Sequence, residues 1–191
     1  ADKKDAKQSY VSIMNWFVFA CGFIFLATAL FKSEIAHVLI KKPEYFNHPD
    51  ALIIVPILLL ANLFLGIFFN LSIWYKINNK TLLGALISLF GAIITVVLLL
   101  VYVPEYGFKA AAYTTLISYF LMSVVSYFVG QYYYPVSYNI GRISVLLITA
   151  IGMYLASEYL MKGMRQTVLL NLVFIAVYIS IGIWMNLRVR K

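Results

Sequence analysis

Six apolar runs, each long enough to cross a bilayer, predict an all-α integral membrane protein. Three observations carry that prediction. Hydrophobic residues make up 63% of the 191 and charged residues only 12%, where a soluble domain has roughly half and a quarter. Mean hydropathy is +0.90. The charges fall in short connections between the runs instead of along them. A chain of this size cannot hide that much apolar surface in one globule, so lipid must cover much of it.

The runs are residues 11–31, 51–75, 82–103, 110–130, 143–160 and 167–186. In hydrocarbon the backbone must bond to itself, which demands helices or a closed barrel. Barrel strands are about half as long and alternate in polarity, and these runs do not. A polar segment, residues 1–10, precedes the first run, and a basic tail, residues 188–191, follows the last. Between them, residues 11–187 read as one transmembrane domain.

Each connection carries its own punctuation. Lys76-Ile77-Asn78-Asn79-Lys80 reads as a polar turn, and Pro104-Glu105-Tyr106-Gly107 as a breaker and turn. Tyr132-Tyr133-Tyr134-Pro135 is an aromatic group before a breaker. Tyrosines at run ends suit the headgroup interface. The longest connection, 32–50, contains a short amphipathic helix over about 33–42. There Ile35, Val38 and Leu39 share a face opposite Lys32, Glu34 and Lys41, and Pro43 ends it.

Basic residues set the orientation. Six spans put both termini on one side, with Lys3, Lys4, Lys7, Lys76, Lys80, Arg142, Arg188, Arg190 and Lys191. The other side has Lys32, Lys41, Lys42, Lys109, Lys162 and Arg165. Nine against six favours both termini in the cytoplasm. The net charge of +8 then points to anionic lipid and not to nucleic acid, since no soluble element carries a basic stripe.

Polar groups at membrane depth are the functional candidates, because they are costly there. In the second run Asn62, Gly66 and Asn70 stand at i, i+4 and i+8 and share a face. Pro56, earlier in that run, is expected to kink the helix. Such a stripe either lines a hydrated cavity or bonds a neighbouring helix. Glu158, the one acidic residue within a run, lies near its end. It either snorkels to the interface or couples an ion. Gly84, Ser88, Gly91, Ala92 and Thr95 in the third run, and Ala111, Thr115, Ser118, Met122 and Ser126 in the fourth, form small-residue faces for helix packing.

Enzyme chemistry has little to stand on. His37 and His48 both lie in the long connection, away from any metal-ligand spacing, and no glycine-rich phosphate loop occurs. Cys21 is a small hydrophobe inside the first run. The reading is a non-enzyme without metal or cofactor.

Two junctions bring a family to mind. Residues 70–81, NLSIWYKINNKT, resemble the end of a helix and its aromatic, basic turn in polysaccharide exporters of the MOP superfamily, the Wzx-type O-antigen flippases. Residues 103–115, VPEYGFKAAAYTT, look like that family's P-x-x-G-x-x-G-A-A-x-A-T segment, with Ala110 where the second glycine often stands. Lys7-Gln8-Ser9-Tyr10 also looks like a cytoplasmic loop entering a helix of that family. The resemblance covers nearly the whole chain. It implies one lobe of a MATE-like, two-lobed transporter, the C-terminal part, with the N-terminal lobe outside this sequence. The implied substrate is an undecaprenyl-linked oligosaccharide, an O-antigen or capsule repeat unit, flipped across the bacterial inner membrane by alternating access. A small-molecule antiporter of the same superfamily, a standalone scaffold or assembly subunit, and a glycan-modifying acyltransferase are the competing readings. The first would want mid-membrane acids and the last a His/Asp pair, and neither is present in the runs.

Overall fold

The computed structural model describes residues 3–39, 52–160 and 168–187. All regular structure among them is helical: α1 (Lys3–Leu30), α2 (Lys32–Leu39), α3 (Ile54–Leu71), α4 (Ile73–Ile77), α5 (Thr81–Tyr133), α6 (Ile140–Leu160) and α7 (Val168–Leu187). Five helices among the described residues are long and apolar enough to cross a membrane; α3 and α4 together make one of them.

Helix boundaries depart from the apolar runs where local chemistry overrides hydropathy. α1 starts at Lys3 and not near Val11. The intervening residues are good helix formers, Asp5 sits in the positive first turn, and the Ser9 hydroxyl donates to Asp5 O at 3.0 Å. α2 follows α1 with one irregular residue, Phe31, between them. Its Lys32 turns inward while Ile35 and Val38 are exposed, the latter at 80%. Residues 40–42 of the expected interfacial helix, with Pro43 and His48, lie outside the described residues, as do the 188–191 tail and Arg165. The expected kink at Pro56 is not needed. Pro56 is the third residue of α3, in a first turn whose N–H groups have no helical partner anyway.

The third and fourth runs form a single element, α5, of 53 residues. Straight, it would be about 80 Å long, far beyond a bilayer's hydrocarbon. It is not straight. At Gly107 the backbone leaves helical geometry with φ 62° and ψ −144°, a conformation open to glycine alone. Pro104 sits three residues earlier. Beyond this break the chain doubles back: a Cβ placed on Gly91 would strike Met122. Residues 91 and 122 are 31 apart, about 46 Å along a straight helix. Ile87 and Met122 also share a buried cluster with Phe68 and Trp74. α5 is thus two antiparallel helices joined at Pro104–Gly107.

The chain divides into two compact units, residues 1–11 with 53–137, and 12–52 with 138–191. In the first, α3 runs parallel to the second half of α5. Phe64 meets Phe120 at one level, while Trp74 reaches Ser126 and Tyr133 further along both helices. The Ser123 hydroxyl donates to Phe64 O at 2.7 Å, an interhelical bond of the kind that steadies membrane bundles. In the second unit α1 and α6 run parallel, with Phe25 against Tyr154 and Lys32 against Glu158. α7 opposes both. Arg142 donates to Met185 O at one end and Ser157 to Asn171 at the other.

Candidate functional site

The amide stripe of α3 lies on the side turned away from its own unit's core. The buried face of α3 is Pro56, Ala61, Leu63, Ile67, Phe68 and Leu71. Asn62 is exposed, and Gly66 and Asn70 are half-buried. Among the described residues neither asparagine bonds to another helix. Asn62 Nδ2 donates to Leu58 O at 2.8 Å, and Asn70 Nδ2 to Gly66 O at 3.0 Å, both four residues back on α3. Each amide thereby caps one donor locally and keeps its second N–H and its Oδ1 for an outside partner. Asn62 lies near the middle of the Ile54–Ile77 span, where water is scarce and an open amide is costly.

Glu158 does not stand alone. Its Oε1 lies 2.7 Å from Lys32 Nζ, and the Tyr154 hydroxyl stands 3.3 Å from the same ammonium. Lys32 is 11% exposed and Glu158 47%. Burial works against the Lys32 charge, but the hydrogen bond and charge of Glu158, with help from Tyr154, outweigh it and hold its pKa above the ordinary lysine value. The ion pair joins the start of α2 to the end of α6.

The small-residue faces are placed as follows. Gly84 and Gly91 are buried, Gly84 against the Tyr75 ring and Gly91 against Met122. Ser88 and Ala92 are exposed, and Ile87 completes the buried line. Ser88 and Thr95 donate to their own helix, to Gly84 O and Gly91 O. Thr115 does the same to Ala111 O at 2.9 Å. Ser118 is fully buried, and its hydroxyl has no partner among the described residues.

A second polar line, on α7, went unread in the sequence. Asn171, Tyr178, Gly182 and Asn186 are its buried residues. Opposite them on α1 stand Leu30, Gly22, Phe19 and, by the same register, Asn15. Asn171 is the best satisfied: its Oδ1 accepts from the Ser157 hydroxyl at 3.2 Å and its Nδ2 donates to Leu30 O at 3.1 Å. The Tyr178 hydroxyl donates to Phe19 O at 3.3 Å. Asn15 and Asn186 are 2% and 5% exposed, yet both amide atoms of Asn15 and Nδ2 of Asn186 lack partners among the described residues. The signal was present, since Asn171 and Asn186 fall on one face of the sixth run.

No group of three or more His, Cys, Asp or Glu able to hold a metal occurs among the described residues. Comparison with protein-family models, with curated proteins and with solved structures returns no match.

Proposed function

We propose that this chain is one wall of a transport path: the C-terminal lobe of a flippase that carries undecaprenyl-linked oligosaccharide across the bacterial inner membrane by alternating access. The observation that carries the reading is the open amide stripe. Asn62, at the middle of its span, is exposed and keeps hydrogen-bonding capacity toward the outside of its own bundle. Hydrocarbon cannot use that capacity, whereas a hydrated groove or a sugar hydroxyl can. The polyprenyl tail would stay in lipid while the sugars pass along the stripe.

The return of α5 at Gly107 supports six crossings, with α1, α3–α4, the two halves of α5, α6 and α7 as the spans. An even number puts both termini on one side, which the basic count makes the cytoplasm. Two antiparallel crossings also fit the length of α5, whose 53 residues give each half about 26, or roughly 39 Å. The opposite wall of the path is a complementary lobe.

Replacing Asn62 and Asn70 together by Leu in the full-length gene product is the test. In vesicles loaded with undecaprenyl-pyrophosphate-linked oligosaccharide, the variant is expected to lose at least about tenfold in flipping rate, the equivalent of roughly one hydrogen bond to a sugar. Its amount in the membrane should match wild type, since among the described residues both amides bond only within their own helix. Unchanged flipping at equal expression overturns the assignment.

A further inference from the structure

We propose that the end of the first unit bearing Lys7 and Lys80 is a docking site for an anionic phospholipid, holding its phosphate between two ammonium groups seated on tyrosine rings. Lys80 Nζ lies 3.7 Å from the centroid of the Tyr133 ring. Lys7 Nζ lies 4.6 Å from that of Tyr134 and donates to Pro135 O at 2.7 Å. The cations come from separate segments of this unit, Lys7 from residues 1–11 and Lys80 from residues 53–137, and their rings are adjacent residues at the end of α5.

The platform is held from beneath. Trp74 is buried and stacks on Tyr133 at 5.7 Å with the ring planes 9° apart. The Trp74 Nε1–H points to the Ser126 hydroxyl, 3.4 Å away. The turn carrying Lys80 is closed by its own N–H donating to Tyr75 O at 2.7 Å, with Asn79 at φ 53°. The two ammonium groups are therefore pre-positioned and do not hang free on flexible stems.

Among the described residues neither ammonium has an ion-pair partner. Residues 72–81 and 131–139 contain Lys76 and Lys80 and no acid. Asp5 is two positions from Lys7 on the same helix, and residues so spaced do not face each other. The one ion pair among the described residues is Lys32–Glu158, in the other unit. Each ammonium has three donors, and the ring and carbonyl contacts leave at least one for a phosphate oxygen.

What identifies the ligand as a lipid is the surface beside the lysines. Ile77, Leu82 and Leu86 are 46%, 72% and 49% exposed and lie within one to two turns of Lys80. A ligand that satisfies both features has an anionic head and a hydrocarbon tail. Tyrosines at this level are the usual companions of headgroups, and basic segments of this kind meet anionic leaflets.

The test uses the full chain in neutral detergent. Thermal unfolding is followed with added dioleoyl phosphatidylglycerol, dioleoyl phosphatidylcholine or inorganic phosphate. Phosphatidylglycerol is expected to raise the melting temperature by several degrees over phosphatidylcholine, by mass action on the folded state. The difference should largely vanish in the K7Q/K80Q double variant. It should persist in K7R/K80R and in K109Q, a lysine two residues past the Gly107 turn. Native mass spectrometry of K80Q alone, which keeps Lys7 on Tyr134, should show fewer bound phosphatidylglycerol molecules than wild type. An undiminished shift in K7Q/K80Q, equal lipid counts in K80Q and wild type, or an equal shift with inorganic phosphate overturns the proposal.

Discussion

The return of α5 makes a sharp energetic prediction at Gly91 and Met122. A methyl group added at Gly91 would overlap Cγ and Sδ of Met122 and touch Cε. Met122 is 6% exposed and packed among Phe68, Trp74 and Ile87, so it has little room to retreat. Gly91→Ala should therefore cost about 1–3 kcal/mol through overpacking, partly offset by the gain of up to about 1 kcal/mol from replacing a helical glycine. Met122→Ala alone removes the same three atoms and should cost about 2–5 kcal/mol through the cavity it leaves. In the double variant the new methyl sits where those atoms were, so the overpacking disappears and part of the cavity is filled. The double variant should then be more stable than the sum of the single effects by at least about 1 kcal/mol, within the range for residues in contact. Unfolding in mixed micelles with increasing denaturing detergent measures all four proteins. If α5 were straight, the two sites would be independent and the effects would add to within about 0.5 kcal/mol; additivity refutes the hairpin.

Two further outcomes follow from the second unit. Asn171→Leu should destabilise by about 1–2 kcal/mol in the same micelle titration, because it removes the two interhelical bonds that the Asn171 amide makes, to the Ser157 hydroxyl and to Leu30 O, while burying no more surface. The Lys32–Glu158 pair should confer a stability that depends on alkaline pH. The pKa of Lys32 is raised on folding, so the contribution is fully present below the ordinary lysine value of 10.5 and is lost as pH rises through the higher folded value. Melting temperature followed from about pH 9 to about pH 12 should therefore show an alkaline decline that is smaller in Lys32→Met, and an identical decline in both proteins would contradict it.

How much of this was legible depends on the distance over which each feature acts. The helices themselves are local matters: the apolar runs fall on helices among the described residues, and the largest departure is at the start of α1. There a polar segment of helix formers continues the helix past the apolar boundary. Gly84 and Gly91 advertised packing by size and spacing, and both are buried. Ser88, one turn after Gly84, shares the sequence pattern but is exposed, because the face that packs runs through Ile87 instead. The two turn motifs were legible too: Pro104 and Gly107 together can end one helix and start another. That the halves then meet at Gly91 and Met122 is a tertiary result that no periodicity reports. Partners far apart in the chain were invisible for the same reason. Lys32 and Glu158 lie 126 residues apart, and Lys7 and Pro135 128. Asn171 and Asn186 were a different kind of omission, since the rule that singled out Asn62 applies equally to them.

The contrast between those asparagines separates structure from function in this chain. Asn171 is 1% exposed and spends both ends of its amide on neighbouring helices. It needs nothing from outside, and its role is to fix α7 against α1 and α6. Among the described residues Asn62 bonds only its own helix, and its side chain is exposed. An amide hydrogen bond left unmade away from water costs about 1–3 kcal/mol, and Leu in its place would cost nothing. A residue that is a liability to its own fold must gain its value from something the fold does not contain. A sugar hydroxyl, a water in a groove or a facing lobe would each repay that cost, and bulk hydrocarbon would not. The Asn62 face is therefore where an outside partner has to be sought, and the buried α7 line is where the bundle secures itself.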